Sequence, residues 1–160
     1  MGFFTMDPLQ IVVFLLALVI TLTFHEAAHA LVAYYLGDPT AKIRGRLSLN
    51  PVDHLDPAGT MVFLVTWMVG WGKPVPINPA NFKHPVRDSA LTALAGPVSN
   101  LILAFAMAFI WKYLGKYMWD PLLLFVQTLF DLNVALAIFN LFPFPPLDGS
   151  KILGLFIPRS

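Results

Sequence analysis

The sequence predicts an all-α polytopic membrane protein with three or four transmembrane helices and a short β or re-entrant element between the first span and the later spans. Two observations predict this class. Apolar residues make up 58% of the 160 residues and charged residues only 12%, whereas soluble domains have about 25% charged residues. The apolar residues are also gathered into segments, and most of these reach the length of about 20 residues that a transmembrane helix needs.

Four apolar segments follow one another along the chain. Gly37 and Asp38-Pro39 end the first, Gly59 and Gly70 interrupt the second, and a proline-rich stretch follows the fourth. Glycine and proline are typical of helix ends and loops, so these residues divide the chain into its elements. The segments cover residues 9–36, 58–71, 89–111 and 122–142.

Two connecting stretches have a different character. Residues 42–49 alternate charged and apolar side chains, which is the pattern of a short strand. Residues 72–87 contain four prolines and predict an irregular or extended loop. The net charge of +1 gives no reason to expect a nucleic acid partner, and the absence of cysteine excludes disulfides and thiolate metal sites.

The residues with the clearest chemistry lie in the first apolar segment. His25 and His29 are separated by one helical turn, so both imidazoles can reach one metal ion, and Glu26 between them can act as a base. A bound Zn²⁺ would activate water near neutral pH and polarise a peptide carbonyl. The alternative is a polar helix–helix contact. Ionisable residues within a membrane-length helix are costly and usually functional, so the metal site is favoured.

Two histidines leave a catalytic zinc ion one protein ligand short of the usual three. Asp148 is the preferred third ligand, because it follows a proline-rich break where irregular backbone can present a carboxylate to a buried ion. An ordinary Asp-Gly turn at the end of a helix is the alternative. The other candidate ligands are His54, Asp56, His84 and Asp131.

These motifs together resemble the site-2 proteases, the membrane-embedded zinc metalloproteases. The resemblance rests on HEAAH at residues 25–29 combined with NLFPFPPLDG at residues 140–149. Three further motifs resemble the compact bacterial and archaeal branch that lacks PDZ domains: NPVDHLDP at residues 50–57, GKPVP at residues 72–76 and GPVSN at residues 96–100.

The resemblance implies one Zn²⁺ per chain, held by His25, His29 and Asp148, with Glu26 as the general base. It also implies that Asn140 binds substrate or stabilises the oxyanion, although a helix-capping amide is an even alternative. His54 would orient a ligand from the second shell or gate access to the site, and a structural turn histidine is equally compatible. Residues 1–160 would form one membrane-embedded metalloprotease core, to which the family commonly adds further helices.

The ligand assignment favours one membrane path. If residues 58–71 only dip into the membrane as a re-entrant element, the fourth segment ends on the same side as the histidines, and Asp148 can meet them. The lysines and arginines then divide eight against two, which makes the side near the zinc the cytoplasmic side. The sequence therefore predicts three spans, in the plasma membrane of a prokaryote, with the active site nearer the cytoplasmic face.

The expected substrate is a membrane-spanning protein within the lipid bilayer, cleaved within or near its transmembrane segment. Residues 42–49 are a candidate strand for pairing with the unwound substrate, although a plain connecting hairpin is the favoured alternative. Gly70 and Gly72 are candidate substrate-binding residues, and a flexible corner explains them equally well. The alternative functions are a non-catalytic metal-binding or ion-transport protein, a metalloprotease of another membrane family, and a small membrane adaptor. The sequence does not indicate an oligomeric state.

Overall fold

The computed structural model describes residues 6–66 and 72–156, and these residues form helices, turns and extended segments. Six α-helices are present in this part of the chain. Short 3₁₀ turns at Pro51–Asp53, Pro79–Asn81 and Gly115–Tyr117 lie between them. The helices are α1 (Pro8–Tyr35), α2 (Thr40–Ile43), α3 (Pro57–Thr66), α4 (Pro85–Leu114), α5 (Asp120–Asn140) and α6 (Asp148–Leu153).

Three helices in the described residues are long and apolar enough to cross a membrane. They are α1, α4 with the turn that continues it to Tyr117, and α5. The predicted all-α class is therefore confirmed, and three of the described helices have the length and composition that a span needs. Within the described residues, helix α3 has ten residues, which is about 15 Å at 1.5 Å per residue and half of a typical hydrocarbon core.

Local sequence signals set both ends of α1. Asp7 and Gln10 form a reciprocal capping box at its start, where Pro8 occupies the first turn. At its end Gly37 adopts φ +106°, and the N–H groups of Gly37 and Asp38 donate to the carbonyls of Tyr34 and Ala33. This is a Schellman motif, and it ends the helix two residues after Ala33, the last of its buried residues.

The three long helices pack against one another through small and polar residues. Alanines fill their contacts, and the polar side chains of Thr21, Asn100 and Asn133 are fully buried. Large apolar residues such as Ile102, Phe105 and Phe109 point outward and are exposed. Small residues at helix contacts and large apolar residues on the outside are typical of helix packing in a bilayer.

The β or re-entrant element expected after the first span is not seen. Residues 42–49 complete α2 and then turn, and the described residues contain no strand. The reason is a second Schellman motif: Gly45 has φ +69°, and the N–H groups of Gly45 and Arg46 donate to the carbonyls of Lys42 and Ala41. The alternation of charged and apolar residues therefore arises from a capped helical turn.

The second apolar segment is a helix in the part that the structure describes. The Asp56 side chain accepts a hydrogen bond from the N–H of Gly59, and Pro57 follows it, which is the pattern of a capped helix start. Residues 67–71 lie outside the described residues. An isolated antiparallel bridge joins Leu55 to Gly72, so the residues on either side of the segment lie next to each other.

Candidate metal centre

Side chains from α1 and α6 converge at one buried point. Nε2 of His25 lies 3.2 Å from Oδ2 of Asp148, and Nε2 of His29 lies 3.1 Å from the same oxygen. The two Nε2 atoms are 3.1 Å apart. All three residues are buried, and they form a group able to hold a metal ion. The two halves of the predicted motif pair thus meet in the fold.

The Nδ1 atoms of His25 and His29 donate hydrogen bonds, which leaves both Nε2 atoms as acceptors. Nδ1 of His29 is 2.7 Å from the carbonyl oxygen of Thr92, which can only accept a hydrogen bond. Nδ1 of His25 is 2.6 Å from Oδ1 of Asn100, which likewise accepts. In the neutral rings the proton is therefore on Nδ1, and two bare nitrogens face the Asp148 carboxylate. Three acceptors at this separation repel one another unless a metal ion or a proton lies between them.

The size of this triangle fits zinc. In a tetrahedral site with bonds of about 2.0–2.1 Å, ligand atoms lie about 3.3 Å from one another. The three observed separations of 3.1–3.2 Å are close to this value. Two imidazoles and one carboxylate also form a donor set found in catalytic zinc sites, which keep a fourth position open for water or substrate.

Asp148 is placed by its own short helix. It is the first residue of α6, and the Gly149 that follows is helical rather than at positive φ. A Cβ at Gly149 would lie 2.3–2.4 Å from the carbonyl oxygens of Leu141 and Phe142. A glycine is therefore needed at position 149 for α6 to pack against the residues that follow α5. The alternative of an ordinary Asp-Gly turn does not describe this site.

The surroundings of Asp148 favour its ionised form. Burial raises its pKa, but hydrogen bonds from His25 and His29, together with their charge when protonated, outweigh burial and hold the pKa well below its usual range. The Lys151 ammonium lies 3.9 Å from Oδ1, the oxygen that does not contact the histidines. Asp148 is thus available as an anionic ligand through Oδ2.

Gly96 of the GPVSN motif lies against both histidine rings. A Cβ at this position would be 2.5 Å from Nε2 of His29 and 2.6 Å from Cε1 of His25. Both distances are well below van der Waals contact, so any side chain here would displace the rings. Gly96 is therefore part of the wall of the metal centre.

A buried polar network holds the His25 partner in place. Asn100 uses its amide N–H₂ to donate to Oδ1 of Asn133 at 2.7 Å and to the carbonyl of Thr21 at 3.3 Å. Asn133 in turn donates to Oγ1 of Thr21 at 2.9 Å. The network links α1, α4 and α5, and it orients Asn100 so that its oxygen faces His25.

Glu26 is partly buried beside the two ligand histidines and contacts an extended segment of the chain. Its Oε2 accepts a hydrogen bond of 3.2 Å from the backbone N–H of Val75, within the GKPVP motif. The prediction that Glu26 acts as the general base is compatible with this position.

Asn140 and His54 have other hydrogen-bond partners in this structure. The Asn140 amide, at the end of α5, donates to the carbonyl of Leu136 at 3.1 Å. Nε2 of His54 is 2.8 Å from the carbonyl of Ser48, while its buried Nδ1 has no partner. The hydrogen bonds to Nδ1 of His25 and His29 are instead made by Asn100 and Thr92. The catalytic role of Asn140 and the gating role of His54 stay predictions.

The remaining candidates have structural positions. Gly72 approaches the chain at His54, where a Cβ would lie 3.1 Å from the His54 carbonyl oxygen, while Gly70 lies outside the described residues. Asp56 caps α3, as described above. His84 precedes the first turn of α4, and Asp131 is exposed on α5. Neither belongs to the metal-binding group found among the described residues.

The sequence alone predicts no role for three residues that shape this site. Gly96 and Asn100 were noted within the GPVSN motif, but only the packing of α4 on α1 shows what they contact. An asparagine within a membrane-length helix is itself a signal of function, because polar side chains are costly there. Thr92 acts through its backbone carbonyl, which leaves no signal in the sequence.

Comparisons with known proteins agree with a zinc site. The chain is 45% identical over 159 residues to "Putative zinc metalloprotease YwhC" of Bacillus subtilis, and the match covers 94% of this chain and 72% of that protein. It is 31% identical over 156 residues to "Putative zinc metalloprotease Rip2" of Mycolicibacterium smegmatis, covering 91% of this chain and 59% of that protein. A third relative, "Putative zinc metalloprotease MJ0611" of Methanocaldococcus jannaschii, is 44% identical over 68 residues, covering 42% of this chain and 34% of that protein. No family model and no solved structure matches the chain.

Proposed function

Because this chain belongs to the zinc metalloprotease family of YwhC, we propose that it is an intramembrane zinc endopeptidase of the site-2 type. It would hydrolyse peptide bonds within or near the transmembrane segments of membrane-anchored proteins. The observation that carries this proposal is the position of the metal-binding group. His25 and His29 are buried on α1, one of the three helices long and apolar enough to span a bilayer, and Asp148 is buried beside them at the start of α6.

The chemistry would be divided among a few residues. His25, His29 and Asp148 would hold one Zn²⁺, which would supply a Lewis acid to polarise a carbonyl and to lower the pKa of water. Glu26 accepts a proton from the attacking water and passes it to the leaving amine. Asn140 would donate a hydrogen bond to the developing oxyanion, for which its amide must leave the Leu136 carbonyl or use its second N–H.

A transmembrane substrate must change conformation before it is cleaved. Its carbonyls are bonded within the helix, so the segment has to unwind locally to expose one peptide bond. The glycines at positions 70 and 72 are proposed to leave room for this extended segment. The partner is accordingly an integral membrane protein, and the bilayer is the common solvent of enzyme and substrate.

The membrane path follows from three spans and the site. With α1, α4 and α5 crossing in turn, the end of α1, the start of α4 and the end of α5 lie on one side, where the metal centre also lies. That side carries eight of the ten lysines and arginines of the sequence. By the positive-inside rule it is the cytoplasmic side of a prokaryotic plasma membrane.

Cleavage of a model transmembrane substrate in liposomes by wild type and by Glu26→Gln tests the proposal. Wild type is expected to cleave, and Glu26→Gln is expected to lose cleavage by at least about a hundredfold while it keeps zinc. The competing function is a non-catalytic metal-binding or ion-transport protein, which would not need Glu26 as a base. Zinc binding without any Glu26-dependent cleavage would favour that function.

A further inference from the structure

The extended segment of residues 72–78, called the strap here, crosses α1 at Glu26. Its proline content explains why it is extended, because Lys73 and Val75 each precede a proline and are therefore restricted to β or polyproline conformations. Pro74 and Pro76 have no N–H group. Between them, Val75 supplies the one backbone donor, and this donor faces the Glu26 carboxylate.

The strap is fastened on both sides of this contact. At its start, the Lys73 N–H donates to the carbonyl of His54 at 2.8 Å. At its end, the Asn78 N–H donates to Oδ2 of Asp38 at 2.7 Å. Two fixed ends and two prolines leave the Val75 N–H little freedom to move relative to α1.

The Val75 side chain adds a third point of attachment. It is buried in a small apolar cluster with Ala30 of α1 and Ala41 of α2, against which Leu47 and Ile77 also pack. Ala30 follows the ligand His29 directly along α1. The strap is thus packed onto the same helix that carries both histidine ligands and the glutamate.

We propose that the backbone N–H of Val75 is a positioning group that holds Glu26 in the orientation needed for proton transfer. This inference rests on the proposed peptidase function. A glutamate side chain has three rotatable bonds, and a general base must lie within about 2.6–3.2 Å of the proton that it takes. The bond to Val75 uses Oε2 and leaves Oε1 to accept that proton.

The alternative is that the strap is held by its own anchors and touches Glu26 without consequence. Replacing the Val75 amide by an ester distinguishes the proposal from this alternative, because the ester removes the N–H and keeps the side chain. The ester is introduced by incorporating the corresponding α-hydroxy acid. Val75→Pro also removes the N–H, and Val75→Ala is its matched partner because it keeps the N–H and removes most of the side chain.

We expect kcat to fall in the variants that lack the Val75 N–H and to be largely kept in the variant that retains it. The ester variant and Val75→Pro should lower kcat by about tenfold or more, with KM within about twofold and with full zinc content. Val75→Ala should recover most of the kcat lost in Val75→Pro. A wild-type kcat in the ester variant, a change confined to KM, or loss of zinc would each overturn the proposal.

A readout that does not depend on cleavage is the hydrogen exchange of the Val75 amide. The proposal predicts slow exchange in the zinc-loaded wild type and exchange faster by about tenfold or more in Glu26→Ala. Equal exchange in the two proteins would overturn it. A wild type that binds zinc but cleaves nothing defeats the proposed peptidase function, whereas Glu26-dependent protection would then still support the contact.

Discussion

The tautomers of His25 and His29 are set by residues that do not touch the metal position. The Thr92 carbonyl and the Asn100 side-chain oxygen each accept from an Nδ1, so both Nε2 atoms are turned toward Asp148 as acceptors. Partners of this kind fix the ring orientation and raise the basicity of a ligand. The affinity of the site for zinc therefore depends on α4 as well as on α1 and α6.

Asn100→Leu tests this dependence. Leucine has a similar volume but cannot accept from His25, so we expect zinc affinity to fall about 10- to 100-fold. The measurement is competition with a chelator in detergent. Thr128→Val is the control, since the Thr128 hydroxyl donates to the Leu124 carbonyl on its own helix, α5. Equal zinc affinity in wild type and Asn100→Leu would show that the hydrogen bond to His25 is unimportant.

Gly96→Ala should damage the metal centre more severely. The added methyl group would lie 2.5 Å from Nε2 of His29, so the imidazoles must move apart or α4 must move away. We expect the zinc content to fall well below one ion per chain. Gly115→Ala is the matched control, because its methyl group would meet only side-chain atoms, the nearest 3.0 Å away on Trp111. Full zinc content in Gly96→Ala would contradict the close packing described here.

The three residues of the metal-binding group could be predicted from the sequence, but the residues that hold them in position could not. His25 and His29 are one helical turn apart, and Asp148 follows a proline-rich break, so each carries a local signal. The need for glycine at position 96 becomes visible only when α4 lies on α1. The contribution of Thr92 is a backbone carbonyl, to which any residue type would be equivalent.

Among the elements, the long helices were predictable and the short ones were not. The bilayer fixes the length of a span, and the predicted segments 9–36 and 122–142 correspond closely to α1 (Pro8–Tyr35) and α5 (Asp120–Asn140). Short elements depend on individual caps. Residues 42–49 turn because Gly45 adopts a positive φ. The next segment begins as a helix because the Asp56 side chain caps its first turn.

The Asp38 carboxylate connects the end of α1 to the strap, and its contribution to the stability of the fold is expected to depend on pH. Burial raises the pKa of Asp38, but hydrogen bonds from Thr40, Asn78 and Asn81 outweigh it and lower the pKa. A carboxyl group whose pKa is lower in the folded state stabilises the fold above its unfolded pKa, and this stabilisation is lost as the pH falls through the folded pKa.

Asp38→Asn should therefore lower the unfolding temperature at pH 7, because the amide cannot accept the same set of hydrogen bonds. The difference from wild type should shrink as the pH falls below about 4, where the wild-type carboxyl group also becomes protonated. Thermal unfolding in detergent across this pH range measures both effects. If the unfolding temperatures of the two proteins differ by the same amount at every pH, the role assigned to the Asp38 charge is contradicted.

At the scale of the whole molecule, the packing is the reverse of that in a soluble protein. Thr21, Asn100 and Asn133 are fully buried, while Ile102 and Phe105 on α4 are 64% and 76% exposed. In water this surface would drive aggregation, whereas in lipid it is well solvated and the polar network is shielded. The same arrangement that suits a bilayer thus gives the metal centre a polar interior.

The proposed topology can be tested with single cysteines, since the chain contains none. Arg44→Cys and Lys83→Cys lie at exposed positions after α1 and before α4, and Lys116→Cys lies at an exposed position between α4 and α5. We expect the first two to react with a membrane-impermeant maleimide only after the cells are opened, and Lys116→Cys to react in intact cells. Reaction of Arg44→Cys and Lys83→Cys from opposite sides would contradict three spans.

The central claim is that two distant segments of this chain form one zinc site through His25, His29 and Asp148. Zinc analysis together with X-ray absorption at the zinc edge, on wild type and on Asp148→Ala, tests it most directly. The predicted result is one zinc ion per wild-type chain with two imidazole ligands at about 2.0–2.1 Å, and loss of most of the zinc in Asp148→Ala. Full zinc content in Asp148→Ala, or a wild-type spectrum without two imidazoles, would contradict the account.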